Sequence, residues 1–234
     1  MSCEMSIIVF CVVGYDAKVE RHYDPAKDTV FQKNNVYLPR FINLVIMRTG
    51  IICIETEFKV ISKRKRRINM DTESLLRFMH EGHQIPFIYR RVATKSELEY
   101  YLKQFSRPEY VKDYGILYFS FHGWTHSIYL EGDKVELTLN DLAEIGGDVF
   151  ENRLVHFSSC FTLRGSSAIT EEFKNVSGAK FVSGYSKSVD SMKSAIHDIC
   201  LFDTFIRYKQ APSIVNRMET VYGGLSQELG FKIV

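Results

Sequence analysis

Two short apolar runs, each ending at a reactive residue, constrain the fold of this chain more than any other feature. Gly115–Phe121 is followed by His122 and Gly123, and Leu154–Phe157 is followed by two serines and Cys160. Short apolar runs rich in aromatic and β-branched residues are typical of buried strands in a parallel sheet. Because functional groups gather past the carboxyl ends of such strands, the histidine and the cysteine are predicted to meet in space.

The stretch between these two strands is predicted to form a hairpin followed by a helix. Ser127–Leu130 and Lys134–Thr138 fit two short strands, and a glycine-containing turn separates them. The predicted helix then covers Asn140–Ile145 and ends at a pair of glycines. A right-handed crossover through this unit would place the two apolar strands side by side.

The rest of the chain alternates between strand and helix patterns, which predicts an α/β fold with a mostly parallel sheet. Further strands are expected at Gly50–Ile54, Ile85–Val92, Lys180–Ser183 and Phe231–Val234. Further helices are expected after the candidate N-cap Asp71, at Thr94–Phe105 and Ser167–Phe173, along a stripe of Met192, Ala195, Ile199, Phe202 and Ile206, and after Pro212. Residues 1–49 are interpreted as an N-terminal extension, either a sheet edge or a partner-docking element.

Composition narrows the class of protein. The 234 residues carry 30 Lys and Arg against 28 Asp and Glu, so the net charge indicates neither a nucleic acid nor a membrane as partner. Five cysteines without disulfide or zinc spacing favour reduced thiols in the cytoplasm. Met5–Val13 is too short to span a membrane, and without a phosphate loop or zinc motif no cofactor or metal is expected. The basic run Lys63–Arg67 is interpreted as a solvated loop.

These motifs together resemble those of the caspase-like cysteine peptidases, in particular the bacterial CHAT proteases. The resemblance rests on the His-Gly and Ser-Cys motifs after two core strands, and on residues 137–142 and 177–183. It extends over roughly residues 50–208. The resemblance implies a caspase-like three-layer sandwich, with helices on both faces of the sheet, and a peptidase domain at residues 50–234.

The residue types at the two strand ends supply the chemistry of a thiol protease. A free thiol has a pKa near ~8.5, so a neighbouring imidazole is needed to provide the thiolate at neutral pH. Cys160 is the candidate nucleophile and His122 the candidate acid and base. The resemblance implies that the backbone N–H groups of Gly123 and Cys160 form the oxyanion hole. The alternatives are a buried structural Cys160 and, as base, an exposed His126 or a core His156.

The residues that bind substrate are less marked in the sequence. In the CHAT-like enzymes an acidic residue after the strand that follows the cysteine binds a basic substrate residue, and Asp190 occupies that place. The alternative is that Asp190 only caps the next helix. Glu55 and Glu57, at the end of the first core strand, are further candidates for the same pocket, with a solvated loop as the alternative. The chain lacks the caspase signature around its cysteine, which argues against aspartate specificity.

The sequence thus predicts a cysteine endopeptidase that cleaves a protein or peptide substrate after a basic residue. The resemblance implies a role in a bacterial anti-phage or cell-death system, and an activating partner or sensor protein is expected because an unregulated protease would be toxic. Two other classes stay open. The domain could be a non-catalytic interaction module, or a flavodoxin-like domain that binds a small anionic ligand.

Overall fold

The computed structural model describes residues 49–58, 72–208 and 210–234. The N-terminal extension up to residue 48, the basic run at 63–67 and the candidate helix cap Asp71 lie outside these described residues.

Within the described ranges the chain forms nine β-strands and seven α-helices. The strands are β1 (Gly50–Thr56), β2 (Phe87–Val92), β3 (Tyr114–Ser120), β4 (His122–Trp124), β5 (Ser127–Leu130), β6 (Val135–Thr138), β7 (Leu154–Ser158), β8 (Phe181–Tyr185) and β9 (Phe231–Ile233). The helices are α1 (Thr72–His83), α2 (Lys95–Phe105), α3 (Pro108–Asp113), α4 (Leu139–Gly146), α5 (Ala168–Ser177), α6 (Ser191–Arg207) and α7 (Ala211–Leu229). Among them, α3 and β4 have no counterpart in the prediction.

Six of the strands form one sheet in the order β2-β1-β3-β7-β8-β9. The first five run parallel to their neighbours, and β9 pairs with β8 in the antiparallel direction. This confirms the predicted α/β fold with a mostly parallel sheet. It also confirms that the strand before His122 (β3) and the strand before Cys160 (β7) are direct neighbours.

Helices cover both faces of this sheet, as expected when parallel strands are buried on both sides. Alternate side chains of β1 separate the two faces, with Ile52 and Ile54 on one and Ile51 and Cys53 on the other. The first face packs against α2, α4 and α5. The second packs against α1, α6 and α7. This layering is compatible with the expected three-layer sandwich.

A second, smaller sheet holds the residues that follow β3. It has the order β4-β5-β6, so the predicted hairpin gains a third strand that begins at His122. The turn between β4 and β5 is tight, and His126 adopts a left-handed conformation with φ 61°. Thr138 caps α4 through a reciprocal capping box with Asp141, as its sequence pattern predicts.

Candidate active site

The register of the central sheet brings the two predicted catalytic residues to one edge. Ser120 of β3 lies opposite Ser158 of β7, so the two parallel strands end at the same level. His122 and Cys160 each follow two residues after that pair. Their backbones therefore leave the sheet side by side at its carboxyl edge, where ligands bind in folds of this kind.

Gly123 fixes how closely the two segments approach each other. A Cβ atom added at Gly123 would lie 2.5 Å from the Cys160 carbonyl oxygen, 2.5 Å from Thr162 Oγ1 and 2.8 Å from Ser159 Cβ. Only glycine fits here, because the two backbones lie too close together to leave room for a side chain. The N–H of His126 also donates to the Thr162 carbonyl at 3.1 Å, which ties the β4–β5 turn to the segment after Cys160.

The Cys160 thiol is half-buried and faces the loop between β8 and α6. The backbone N–H of Val189 donates to the Cys160 sulfur at an N···S distance of 3.4 Å. The hydroxyl of Ser188 lies 3.7 Å from the same sulfur. The loop between β8 and α6 therefore contacts the sulfur through one backbone N–H and one hydroxyl.

The backbone around Cys160 is held in a strained conformation. Phe161 has φ 62°, a left-handed value that is unusual for a large side chain. Its N–H donates to the Lys187 carbonyl at 3.0 Å, which supports this conformation. The N–H of Cys160 itself donates no hydrogen bond to any residue in the described part of the chain. An oxyanion-hole donor must be free of such a bond, so this geometry is compatible with that role.

The His122 side chain is exposed at this edge. Its ring meets Phe58 edge to face, with 4.9 Å between ring centroids. No hydrogen bond joins the imidazole to another residue within the described ranges. Phe58 is thus the aromatic residue that packs against this ring.

Asp190 lies next in sequence to Val189, whose N–H meets the thiol. Its side chain is exposed, and Oδ1 accepts hydrogen bonds from the N–H groups of Met192 at 3.0 Å and Lys193 at 3.1 Å. Asp190 is therefore the N-cap of α6, as the alternative interpretation held. Capping uses Oδ1 alone, so this geometry is compatible with a second role for the carboxylate.

Glu55 does not lie in a solvated loop, because it belongs to β1 and is only 1% exposed. Its carboxylate accepts hydrogen bonds from the Thr72 N–H at 3.3 Å and the Ser120 hydroxyl at 3.2 Å, and it also contacts the hydroxyls of Thr72 and Tyr89. Arg91 approaches to 3.6 Å. A substrate cation would have to displace these partners, so Glu55 is better described as an anchor of the strand ends. The exposed Glu57 follows it.

A carboxylate that no sequence pattern indicated lies in the helix layer formed by α1, α6 and α7. Asp198 of α6 is completely buried and accepts four hydrogen bonds. Oδ1 receives them from His156 Nε2 at 2.7 Å and from the Tyr185 hydroxyl, and Oδ2 from Tyr118 at 2.6 Å and Ser158 at 2.7 Å. We call these residues the Asp198 cluster. His156 is therefore a core residue, as the sequence predicted. Every lone pair of the buried carboxylate has a partner.

The cluster extends from the sheet to α7. His156 Nδ1 lies 2.8 Å from the Ser183 hydroxyl. On the other side, the Tyr185 hydroxyl lies 3.1 Å from His197 Nδ1, and His197 Nε2 lies 2.8 Å from the Ser226 hydroxyl. A continuous chain of hydrogen bonds therefore joins β7, β8, α6 and α7.

Burial changes the titration of this cluster. For Asp198, burial acts to raise the pKa, but His156 and the hydrogen bonds from Tyr118 and Tyr185 hold that pKa below its usual range. Burial, together with the nearby Asp198 charge, raises the pKa of both tyrosines. Burial lowers the pKa of His197 to about 4, with Asp198 opposing and His156 adding to the shift. His197 is therefore neutral at physiological pH.

His126, the other candidate base, is half-buried rather than exposed. Its Nδ1 atom is buried without a hydrogen-bond partner in the described ranges. Burial and the nearby Lys232 charge lower the pKa of His126. His126 occupies a left-handed position of the turn, and its Nε2 would lie 3.8 Å from a Cβ added at Gly165, in the segment after Cys160. No sequence pattern indicated that conformation.

No group of three or more potential metal ligands comes together among the described residues. None of the helices described combines the length and the apolarity needed to cross a membrane.

No curated protein matches this chain. Residues 48–234 match a family described as "Family of unknown function (DUF6642)". Because the match covers most of its length, the chain belongs to the DUF6642 family.

Proposed function

We propose that this protein is a cysteine endopeptidase with Cys160 as nucleophile and His122 as general acid and base. The observation that carries the proposal is the shared sheet edge, where β3 and β7 end in register and Gly123 packs against the Cys160 backbone. The resemblance to the CHAT proteases supports the same pair. The exposed imidazole and the half-buried thiol are both accessible to a peptide.

The reaction would proceed in two halves. The Cys160 thiolate attacks the scissile carbonyl, and a C–S bond forms as the carbonyl π electrons move to oxygen. The N–H groups of Cys160 and Gly123 would stabilise that oxyanion. His122, which holds the proton taken from the Cys160 thiol, then gives that proton to the leaving amine as the C–N bond breaks. Water, deprotonated by His122, hydrolyses the thioester and returns the thiol.

The β8–α6 loop is the proposed specificity element. It contacts the Cys160 sulfur through Val189 and Ser188, and the exposed Asp190 follows directly. An exposed carboxylate at this point would pair with an Arg or Lys before the scissile bond. As the CHAT resemblance implies, we further propose action in a bacterial defence or cell-death system, under control of an activating partner.

Thiol reactivity and cleavage provide the direct test. We expect Cys160 to react with iodoacetamide at neutral pH faster than Cys200, whose pKa is raised by burial, when labelling is resolved by peptide mass spectrometry. Peptides with Arg or Lys before the scissile bond should be cleaved by the wild type, alone or with cell lysate as a source of activator. Cys160→Ala should abolish cleavage, and Cys200→Ala should not.

An unreactive Cys160 together with no cleavage in either condition would contradict the peptidase proposal and favour an interaction module. Reactivity that survives in His122→Gln with its pH profile unchanged would remove His122 from the mechanism. Full activity of the purified chain alone would contradict the proposed activator while leaving the peptidase in place.

A further inference from the structure

One large aromatic side chain close in sequence to His122 is mostly exposed. Trp124, the only tryptophan of the chain, is 57% exposed although it belongs to the three-stranded sheet. A single exposed aromatic residue is unremarkable on a protein surface. Trp124, however, lies two residues after His122 on the same short strand.

The pleat of the small sheet places Trp124 and His122 on one face. Alternate residues of a strand share a face, and in β4 both outer residues are exposed while Gly123 between them is buried against the Cys160 segment. Tyr129 of β5 lies directly opposite His122 on this face and is half-buried. Phe58 meets the imidazole from its edge. His122 is thus accompanied by three aromatic residues, which we call the aromatic rim: Phe58, Trp124 and Tyr129.

The strand that carries His122 and Trp124 is braced against the segment that carries Cys160. Gly123 lies against the Cys160 carbonyl, and the His126 N–H donates to the Thr162 carbonyl at 3.1 Å. The Leu139 N–H donates to the His126 carbonyl at 2.9 Å, which attaches the turn to the start of α4. Trp124 therefore extends from a braced strand. Binding of a ligand there would cost the protein little conformational entropy.

The chemistry of His122 identifies which half of a substrate meets this surface. To protonate the leaving amine, the imidazole must lie over the nitrogen of the scissile bond, so residues beside it face the leaving half of the peptide. Asp190 and Val189 approach Cys160 from a different loop, which the proposed function assigns to the residue before that bond.

We propose that Trp124 binds an apolar or aromatic side chain in the leaving half of the peptide substrate. The inference rests on the proposed peptidase function and deepens it. The enzyme would then recognise a basic residue before the cleaved bond and an apolar residue after it. An indole offers a wide apolar surface with little conformational freedom to lose, which suits this role.

The test compares three substrates that share one acyl half with a basic residue. The first carries a Leu- or Phe-containing leaving peptide, the second a Gly-only leaving peptide, and the third a methylamide with no leaving peptide. Trp124→Ala should lower kcat/KM by about tenfold for the first substrate and by less than about twofold for the others. Trp124→Phe should recover most of the loss. The control is Phe78→Ala on α1, which removes an aromatic ring that is 63% exposed.

Because the chain has a single tryptophan, binding can also be measured without turnover. In the Cys160→Ala variant, the apolar substrate should shift the indole emission, and the Gly-only substrate should not. Equal losses with all three substrates, or no loss with the first, would overturn the inference while leaving the peptidase intact. If the wild type cleaves none of them, alone or with lysate, and Cys160 is unreactive, the proposed function falls and the inference with it.

Discussion

The Asp198 cluster and the Cys160 edge use the same kinds of side chain in opposite ways. In the cluster, a histidine, a carboxylate and several hydroxyls are buried and fully paired with one another. At the edge, the His122 ring has no hydrogen-bond partner in the described ranges and the Cys160 N–H donates to none. Buried polar groups need hydrogen-bond partners within the protein, whereas groups that bind a substrate must keep hydrogen-bonding capacity for that substrate.

The two regions meet at β7. Ser158 donates to Asp198 from the last position of that strand, and Cys160 follows two residues later. The cluster therefore anchors the strand that carries the proposed nucleophile. This division of roles predicts that the cluster controls stability, while the edge controls reactivity and contributes little to folding.

Removal of the buried carboxylate should have the largest effect. Asp198→Ala leaves the partners of a buried pair without compensation, so we expect it to lower the free energy of unfolding by about 3–5 kcal/mol. Asp203→Ala on the same helix breaks only the partly exposed pair with Arg207 and should cost roughly 0.5 kcal/mol or less. Urea unfolding of both variants would measure this contrast. Cys160→Ala, at the edge, should lower the free energy of unfolding by less than about 1 kcal/mol. A loss below about 1 kcal/mol for Asp198→Ala would contradict the stabilising role of the cluster.

Acid should destabilise the cluster through His197. This imidazole binds a proton below pH 6.5 when unfolded, but only below about pH 4 when folded. The stabilisation is therefore present above pH 6.5 and is lost as the pH falls towards 4, by up to about 3 kcal/mol. Urea unfolding at several pH values should show this decline in the wild type. His197→Gln should show a shallower one, and parallel curves would contradict the assignment.

The cluster also shows where sequence reasoning stopped short. The predicted apolar stripe of α6 does pack on the core through the buried Phe202 and through Ala195, Ile199 and Ile206, whereas Met192 is 52% exposed. The buried side of the helix also carries Ser194, His197, Asp198 and Leu201, at the spacing of one helix face. Apolar periodicity identified the helix and most of its packed residues, but it did not indicate that polar residues share that side. Polar groups can occupy a buried face only when distant strands supply their partners, and local sequence does not report those partners.

The strand ends were easier to predict than the loops attached to them. Apolar runs and crossover handedness suffice to place β3 beside β7, and hence to bring the segments after them to one edge. The contact between the Val189 N–H and the thiol, the left-handed Phe161 and the third strand of the small sheet depend on backbone geometry that residue type does not determine. The resemblance to the CHAT proteases pointed to the β8–α6 loop, but it did not predict the contacts that this loop makes.

A methyl group at Gly123 should disturb the edge more than the fold. In Gly123→Ala the new Cβ would meet the Cys160 carbonyl at 2.5 Å, so the two backbones must separate. We expect a stability loss of about 1–3 kcal/mol and, because the proposed oxyanion donors move apart, a fall in kcat of about a hundredfold or more. Peptide hydrolysis and urea unfolding would measure both effects.

Gly224→Ala in α7 is the matched control for this substitution, since nothing lies within 4 Å of its added Cβ. It should leave activity unchanged and stability unchanged or up to about 1 kcal/mol higher. Unaltered turnover in Gly123→Ala would show that the close approach of the two backbones is a packing feature and not part of the proposed oxyanion hole.

Asp190 lies at the Cys160 edge, yet its carboxylate is hydrogen-bonded within the protein, as the groups of the Asp198 cluster are. It therefore allows a substrate-binding role to be distinguished from a structural one at a single residue. Asp190→Ala should cost about 1 kcal/mol of stability through the lost cap, whereas Asp190→Ser keeps a capping oxygen and should cost little. If the carboxylate also binds the substrate cation, both variants should lose the preference for Arg over a neutral residue by about tenfold or more. If Asp190 is only a cap, Asp190→Ser should match the wild type in kcat/KM for both peptides. Asp190→Ser thus separates charge from capping at one position, and a selectivity that survives it would move the specificity pocket away from the α6 N-terminus.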